Sequence, residues 1–232
     1  MNQDNKSLPV EEIKVRVDYS KTCQARYIAH LDTIDVICKA LRRLQLPYAV
    51  TQGCHARPKI SFGPPLPLGH ASFCEYFILS LTRTADAATL HESLNRELPS
   101  GMRVLRVTIP YTEKKTGNFG EKLSYRLTFS DSETANNAMA YLLDKDSCFA
   151  VERKGQTRQY CLKDAVLSVK IAEHDGMPIL EAEFVQGQAD VPSVSKIVTA
   201  LAGHLADQKD SLKLIERISL IELNQKQEIS SN

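Results

Sequence analysis

Two hydrophobic periods alternate along the first hundred residues, and their order restricts the fold more than any other feature. In EIKVRVDYS (12–20), Ile13, Val15, Val17 and Tyr19 stand against Lys14, Arg16 and Asp18, the period of two of a half-buried strand. HLDTIDVICKALRRLQ (30–45) changes to helical spacing, with Leu31, Ile34, Ile37, Cys38, Leu41 and Leu44 on one stripe, until Pro47 stops it. YAVTQG (48–53) reads as a short strand, and FCEYFILSLTR (73–83) as a longer one apolar enough for a sheet centre. A second helix, with Leu90, Leu94 and Leu98 on one stripe, ends at Pro99 to Gly101, and MRVLRVTIP (102–110) closes the unit as a strand. The order β-α-β-β-α-β predicts a ferredoxin-like, split βαβ domain of the α+β class over residues 12–112, with one face of its antiparallel sheet left free.

The polar stretch YTEKKTGNFGEK (111–122) reads as a linker. Beyond it LSYRLTFS alternates, SETANNAMAYLLDKD is helical, and three strand-like runs follow: CFAVERK, RQYCLKDAVLSVKIAE and PILEAEFVQG. VPSVSKIVTALAGHLADQ is a helix and SLKLIERISLIEL a last strand. Residues 121–223 are therefore expected to form a second, elaborated ferredoxin-like α+β domain, and the ends 1–11 and 224–232 to be disordered. No residue-level repetition links the two halves.

With 43% hydrophobic and 25% charged residues the composition is that of a globular protein. No apolar run approaches the ~20 residues of a membrane span, and the polar start lacks a signal-peptide core, so a cytoplasmic setting without membrane contact is expected. Six cysteines without CxxC spacing are expected to be reduced thiols holding no metal or other cofactor. Charge is uneven: residues 1–120 carry sixteen Lys and Arg against eleven Asp and Glu, residues 121–232 thirteen against seventeen. A polyanion would approach the first half.

TQGCHARPKISFGPPLPLG (51–69) joins the second and third expected strands, where a ferredoxin-like unit has a short hairpin. At this length a loop is functional or mobile, and the prolines at 58, 64, 65 and 67 stiffen it. Two readings stand open. In one, Arg57 and Lys59 hold phosphates, His55 stacks or hydrogen-bonds, and Arg42 and Arg43 of the preceding helix extend the patch. In the other, the segment is an ordered connection packed on Phe62, Leu66 and Leu68. His30 and His55 are candidates for acid–base chemistry; His30 and Asp32, two apart on a helix, do not face each other.

The run from Arg26 to Tyr76 resembles the signature of the bacterial radical-SAM-linked protein family, a domain of unknown function found beside or fused to cobalamin-binding radical S-adenosylmethionine proteins. The likeness is carried by HLD at 30–32, ALRR at 40–43, LP at 46–47, QG at 52–53, RPKISF at 57–62, LPLG at 66–69, Ser72 and Glu75-Tyr76. The chain departs from the pattern at Ala29, where the family commonly has Ser, at Asp35 in place of Arg, and at Cys54 in place of Phe. The resemblance implies a radical SAM partner, since the chain itself carries no CxxxCxxC motif.

Together these features predict an accessory or substrate-binding module, RNA-facing and without chemistry of its own. Its expected binding residues are Arg42, Arg43, Gln52, His55, Arg57, Lys59 and Ser61. The alternatives are a metal-independent RNA-processing enzyme of tandem ferredoxin-like architecture and a protein-interaction scaffold. Because the cysteines lack ligand spacing, elemental analysis of the purified chain is expected to find no stoichiometric metal. About one zinc or iron per chain would contradict that reading of the cysteines.

Overall fold

The computed structural model describes residues 12–52, 56–112, 120–153, 155–188 and 190–223. The expected disordered ends, and His55, lie outside the described residues. β1 (Ile13–Lys21) buries Val15, Val17 and Tyr19 as its alternation requires. α1 (His30–Arg43) begins after Ala29, which has no side chain to cap the first turn; the serine common in the resembling family would supply one.

The expected strand at 48–53 is not a regular one: Tyr48 and Val50 make only isolated bridges, to Leu81 and Pro58. The chain doubles back here, Thr51 N donating to Arg57 O at 2.8 Å and Lys59 N to Ala49 O at 2.7 Å. The ladder stays short in part because Pro58 has no N–H to give it. The regular strand, β2 (Ile60–Phe62), lies inside the supposed loop. β3 (Ala71–Leu81), α2 (Ala87–Glu97) and β4 (Met102–Thr108) follow. Asp86 caps α2 by accepting from Thr89 N at 2.7 Å.

The second half opens with β5 (Glu121–Phe129) and α3 (Ser132–Leu143), the latter capped by Asp131, which accepts from Thr134 N at 2.7 Å. β6 (Cys148–Arg153) and β7 (Gln156–Cys161) form a separate hairpin. The run expected as one strand at 158–173 is broken by a 3-10 turn at Leu162–Asp164, so that β8 (Val166–His174) is distinct from β7. Cys148 and Cys161 are directly opposed in the hairpin and joined by a disulfide, which corrects the expectation of six free thiols. β9 (Met177–Gln186), α4 (Val194–His204) and β10 (Leu212–Glu222) complete the chain.

The result is a mixed α+β structure with four α-helices and one large, mostly antiparallel sheet among the described residues. Its order is β4-β1-β3-β10-β5-β9-β8, with β2 also paired to β3. In residues 13–108 the strands stand β4-β1-β3-β2; in residues 121–222 they stand β10-β5-β9-β8. The second order repeats the first, strand for strand, without any repetition of residues. Each half has its own apolar core: α1 and α2 pack on Val17, Phe77 and Leu79, and α3 and α4 on Leu127, Leu180 and Phe184.

The halves meet at the second edge of β3. Phe77 to Leu79 pair there with β2, while Ala71 and Ser72 pair in parallel with Glu216 and Arg217 of β10. Arg217, 2% exposed, lies in the resulting seam. Its guanidinium donates to Glu75 Oε1 at 3.0 Å, to Tyr125 Oη at 2.9 Å, and to the carbonyls of Pro64 and Pro65 at 3.1 and 3.0 Å. Residues 63–69 thus form a strap tied across the seam. Leu66 of the strap is buried and Phe62 half-buried, but Leu68, expected to pack, is exposed. Gly63 turns the chain where a Cβ would come within 2.7 Å of the Tyr76 ring.

His70 follows the strap, 7% exposed, its ring edge-on to Tyr125 and its Nδ1 without a partner among the described residues. Burial, aided by the nearby Arg217 cation, lowers its pKa to about 4 from 6.5. The folded state therefore keeps His70 neutral while the unfolded chain takes up a proton below pH 6.5. Stability should be unaffected above that pH and fall as pH drops toward 4, by about 3 kcal/mol in all. Urea unfolding at pH 7.5 and pH 4.5 should show this loss in the parent and a much smaller one in His70→Gln. Equal losses in both would contradict the assignment.

Candidate nucleic-acid interface

Helical spacing puts Ile34, Cys38 and Arg42 in one row along α1. Facing that row across a cavity of about 460 Å³ are Arg57, at the shoulder of the hairpin that doubles back at 49–59, and Ile60 and Phe62 of β2. The hairpin fixes the backbone of Arg57 on both sides, through its carbonyl as described and through Arg57 N donating to Thr51 Oγ1 at 3.2 Å. Two cations fifteen positions apart in sequence so reach one cavity with an apolar floor.

Among the described residues neither guanidinium has an ion-pair partner. Asp35 sits on the rim, where the resembling family commonly has arginine. Burial pushes the Cys38 thiol pKa up, and Arg42 and Arg57 pull against that shift, so both cations lie close enough to act on it. Cys38 is accordingly a neutral wall of the cavity rather than a nucleophile.

The other expected site residues are placed elsewhere. Arg43 is drawn to Glu97, whose carboxylate it binds through Nε and whose backbone oxygen it meets through Nη2 at 2.9 Å, tying the end of α1 to α2. Lys59 is paired with Glu12 at 2.7 Å. Ser61 stands opposite Ile78 in the ladder, and because neighbours in a strand alternate it faces away from the cavity that Ile60 and Phe62 line. Gln52 is exposed. His30 begins α1 and presents its ring edge-on to Phe62, with centroids 6.2 Å apart, a packing contact. No group of His, Cys, Asp or Glu among the described residues is arranged to hold a metal ion.

The sequence points to the two arginines but not to the walls of their cavity. Ile34 and Cys38 are legible as an apolar stripe, with no signal that part of the stripe is left uncovered. Arg217 escapes a sequence reading altogether; the signal available is a cation between Ile215 and Leu220 in the inward row of its strand.

A family model described as "Uncharacterized protein conserved in bacteria (DUF2344)" matches residues 14–196. No curated protein matches the chain. Among solved structures, the crystal structure of an unknown protein from Galdieria sulphuraria aligns at 14% identity, covering 92% of this chain and 99% of that one, with a TM-score of 0.25. No helix among the described residues is long and apolar enough to cross a membrane.

Proposed function

The chain belongs to the DUF2344 family of uncharacterized bacterial proteins, and we propose that it is an RNA-binding accessory module without chemistry of its own. The observation that carries this reading is the meeting of Arg42 and Arg57 at one cavity, unpaired among the described residues and floored by Ile34, Ile60 and Phe62. Cations beside apolar and aromatic walls suit a single strand, whose phosphates need charge and whose unstacked bases need a surface. The charge surplus of the first half draws a polyanion to the same side.

The partner in this proposal is a radical SAM enzyme, named from the resemblance of residues 26–76, and the setting is the cytoplasm. The repeated strand orders β4-β1-β3-β2 and β10-β5-β9-β8 support reading the molecule as two ferredoxin-like units in tandem. Of the candidate acids and bases, His30 is committed to a ring contact, so the geometry favours binding over catalysis.

Each phosphate neutralised on a single strand contributes about −0.7 to the log–log slope of affinity against salt. Titration of labelled single-stranded RNA at several salt concentrations should show a steep slope in the parent. The pair Arg42→Ala and Arg57→Ala should flatten it by about 1.4, two contacts' worth. Arg43→Ala and Lys59→Ala, whose charges are already paired with Glu97 and Glu12, should leave it unchanged. A slope insensitive to Arg42 and Arg57 would refute the interface.

A further inference from the structure

The face of the sheet turned away from the helices carries a second cavity, a trough of about 270 Å³ over β5, β8 and β9. Charged side chains alternate across it, as they commonly do on an exposed antiparallel face, where opposite charges on neighbouring strands close into pairs. One pair has closed: Lys122 meets Glu183 at 2.9 Å, and Ser168 adds a hydrogen bond of 3.0 Å to the same carboxylate. The next pair along is looser. Arg126 and Glu181 are directly opposed in register, yet they approach only to 3.6 Å, and Lys170 on the far side of Glu181 stays at 3.7 Å.

Both distances exceed a hydrogen bond. Among the described residues the Arg126 guanidinium donates no hydrogen bond, its Nε is buried without a partner, and the Glu181 carboxylate accepts none. A planar fork of donors and a two-oxygen acceptor therefore stand side by side in a cavity, ion-paired at long range but sharing no hydrogen bond. A buried donor such as Arg126 Nε is normally bonded, so a ligand that completes this pair would present acceptors to the fork and donors to the carboxylate beside it.

A guanine base has that arrangement where its Hoogsteen and Watson–Crick edges meet at O6. N7 and O6 are acceptors that suit an arginine fork, and N1–H and N2–H, adjoining O6, are donors that suit a carboxylate. Adenine puts an amino donor where guanine has O6 and has no hydrogen on N1, so it would set donor against donor at Arg126. We propose that the trough reads guanine, Arg126 donating to N7 and O6 and Glu181 accepting from N1–H and N2–H. In taking the ligand for a nucleobase, the inference rests on the RNA-facing reading. The trough and the α1 cavity lie on opposite faces of the sheet, so a strand engaging both would have to pass around an edge.

The test uses nucleosides, which carry no phosphate and so bypass the arginines of α1 and its hairpin. Binding of guanosine, inosine, 7-deazaguanosine and adenosine to the full chain is measured by calorimetry. Guanosine should exceed adenosine by about 5- to 150-fold, the discrimination of a good bidentate contact. Inosine, lacking the N2 amine, and 7-deazaguanosine, lacking N7, should fall between. Arg126→Gln should erase the difference between guanosine and 7-deazaguanosine, and Glu181→Ala that between guanosine and inosine, with melting curves showing that both variants fold. Equal affinity for all four nucleosides, no binding of guanosine, or discrimination that survives both substitutions would overturn the proposal. Salt-dependent RNA binding without guanine preference would overturn it too while leaving the α1 interface standing. Guanosine discrimination by a protein that binds RNA without salt dependence would uphold it and remove that interface.

Discussion

A buried guanidinium holds the seam on which the rest of the molecule depends. Three prolines within four residues, Pro64, Pro65 and Pro67, bring carbonyls into the seam but no N–H groups. A segment of that kind cannot satisfy itself by pairing as a strand. Arginine is its complement, a planar group with donors only, and Arg217 places two of those donors on Pro64 and Pro65. The same side chain meets Glu75 of the first half and Tyr125 of the second, so one residue joins two halves and a strap. Its charge is tolerable there because Glu75 neutralises it and three more of its donors are bonded, to Tyr125, Pro64 and Pro65.

The clamp divides the long connection between β2 and β3 from the hairpin before it. Residues 63–69 are structural, stiffened by proline and tied to the seam. Residues 49–52 and 56–59 pair with each other and present Arg57 to the row of α1 that ends in Arg42. The packed-connection reading thus applies to residues 63–69, and the phosphate-binding reading, as proposed above, concerns Arg57 alone. A connection tethered at one end gives the free part a fixed base, and a fixed Arg57 loses less freedom on meeting a phosphate than one on a slack loop.

Where a periodicity is long, it locates its element: α1, α2, α3 and α4 lie within the stretches whose spacing marks them, and β1 runs one residue beyond its own. Failures come where the deciding partner is remote. YAVTQG has strand-like residues, but its neighbours in space are Pro58 and Leu81, and these allow only isolated bridges. Cys148 and Cys161 are thirteen apart, and nothing in that spacing announces a hairpin that opposes them. Arg43 and Lys59 look as free in sequence as Arg42 and Arg57; only the fold assigns Glu97 and Glu12 to the first two. Arg217 and Glu75 are 142 residues apart, and the short parallel pairing of β3 with β10 that brings them together leaves no trace in residue identity.

The Arg217–Glu75 ion pair, and not apolar contact alone, couples the halves, and a double-mutant cycle measured by urea unfolding tests this most directly. Arg217→Met leaves Glu75 buried and unpaired and should cost about 3–5 kcal/mol. Adding Glu75→Leu removes the stranded carboxylate, so the double variant should regain a large part of that loss, a coupling of about 2 kcal/mol or more. Additive effects of the two substitutions, or an Arg217→Met variant that unfolds at the parent's midpoint, would contradict the coupling and leave the seam to other contacts.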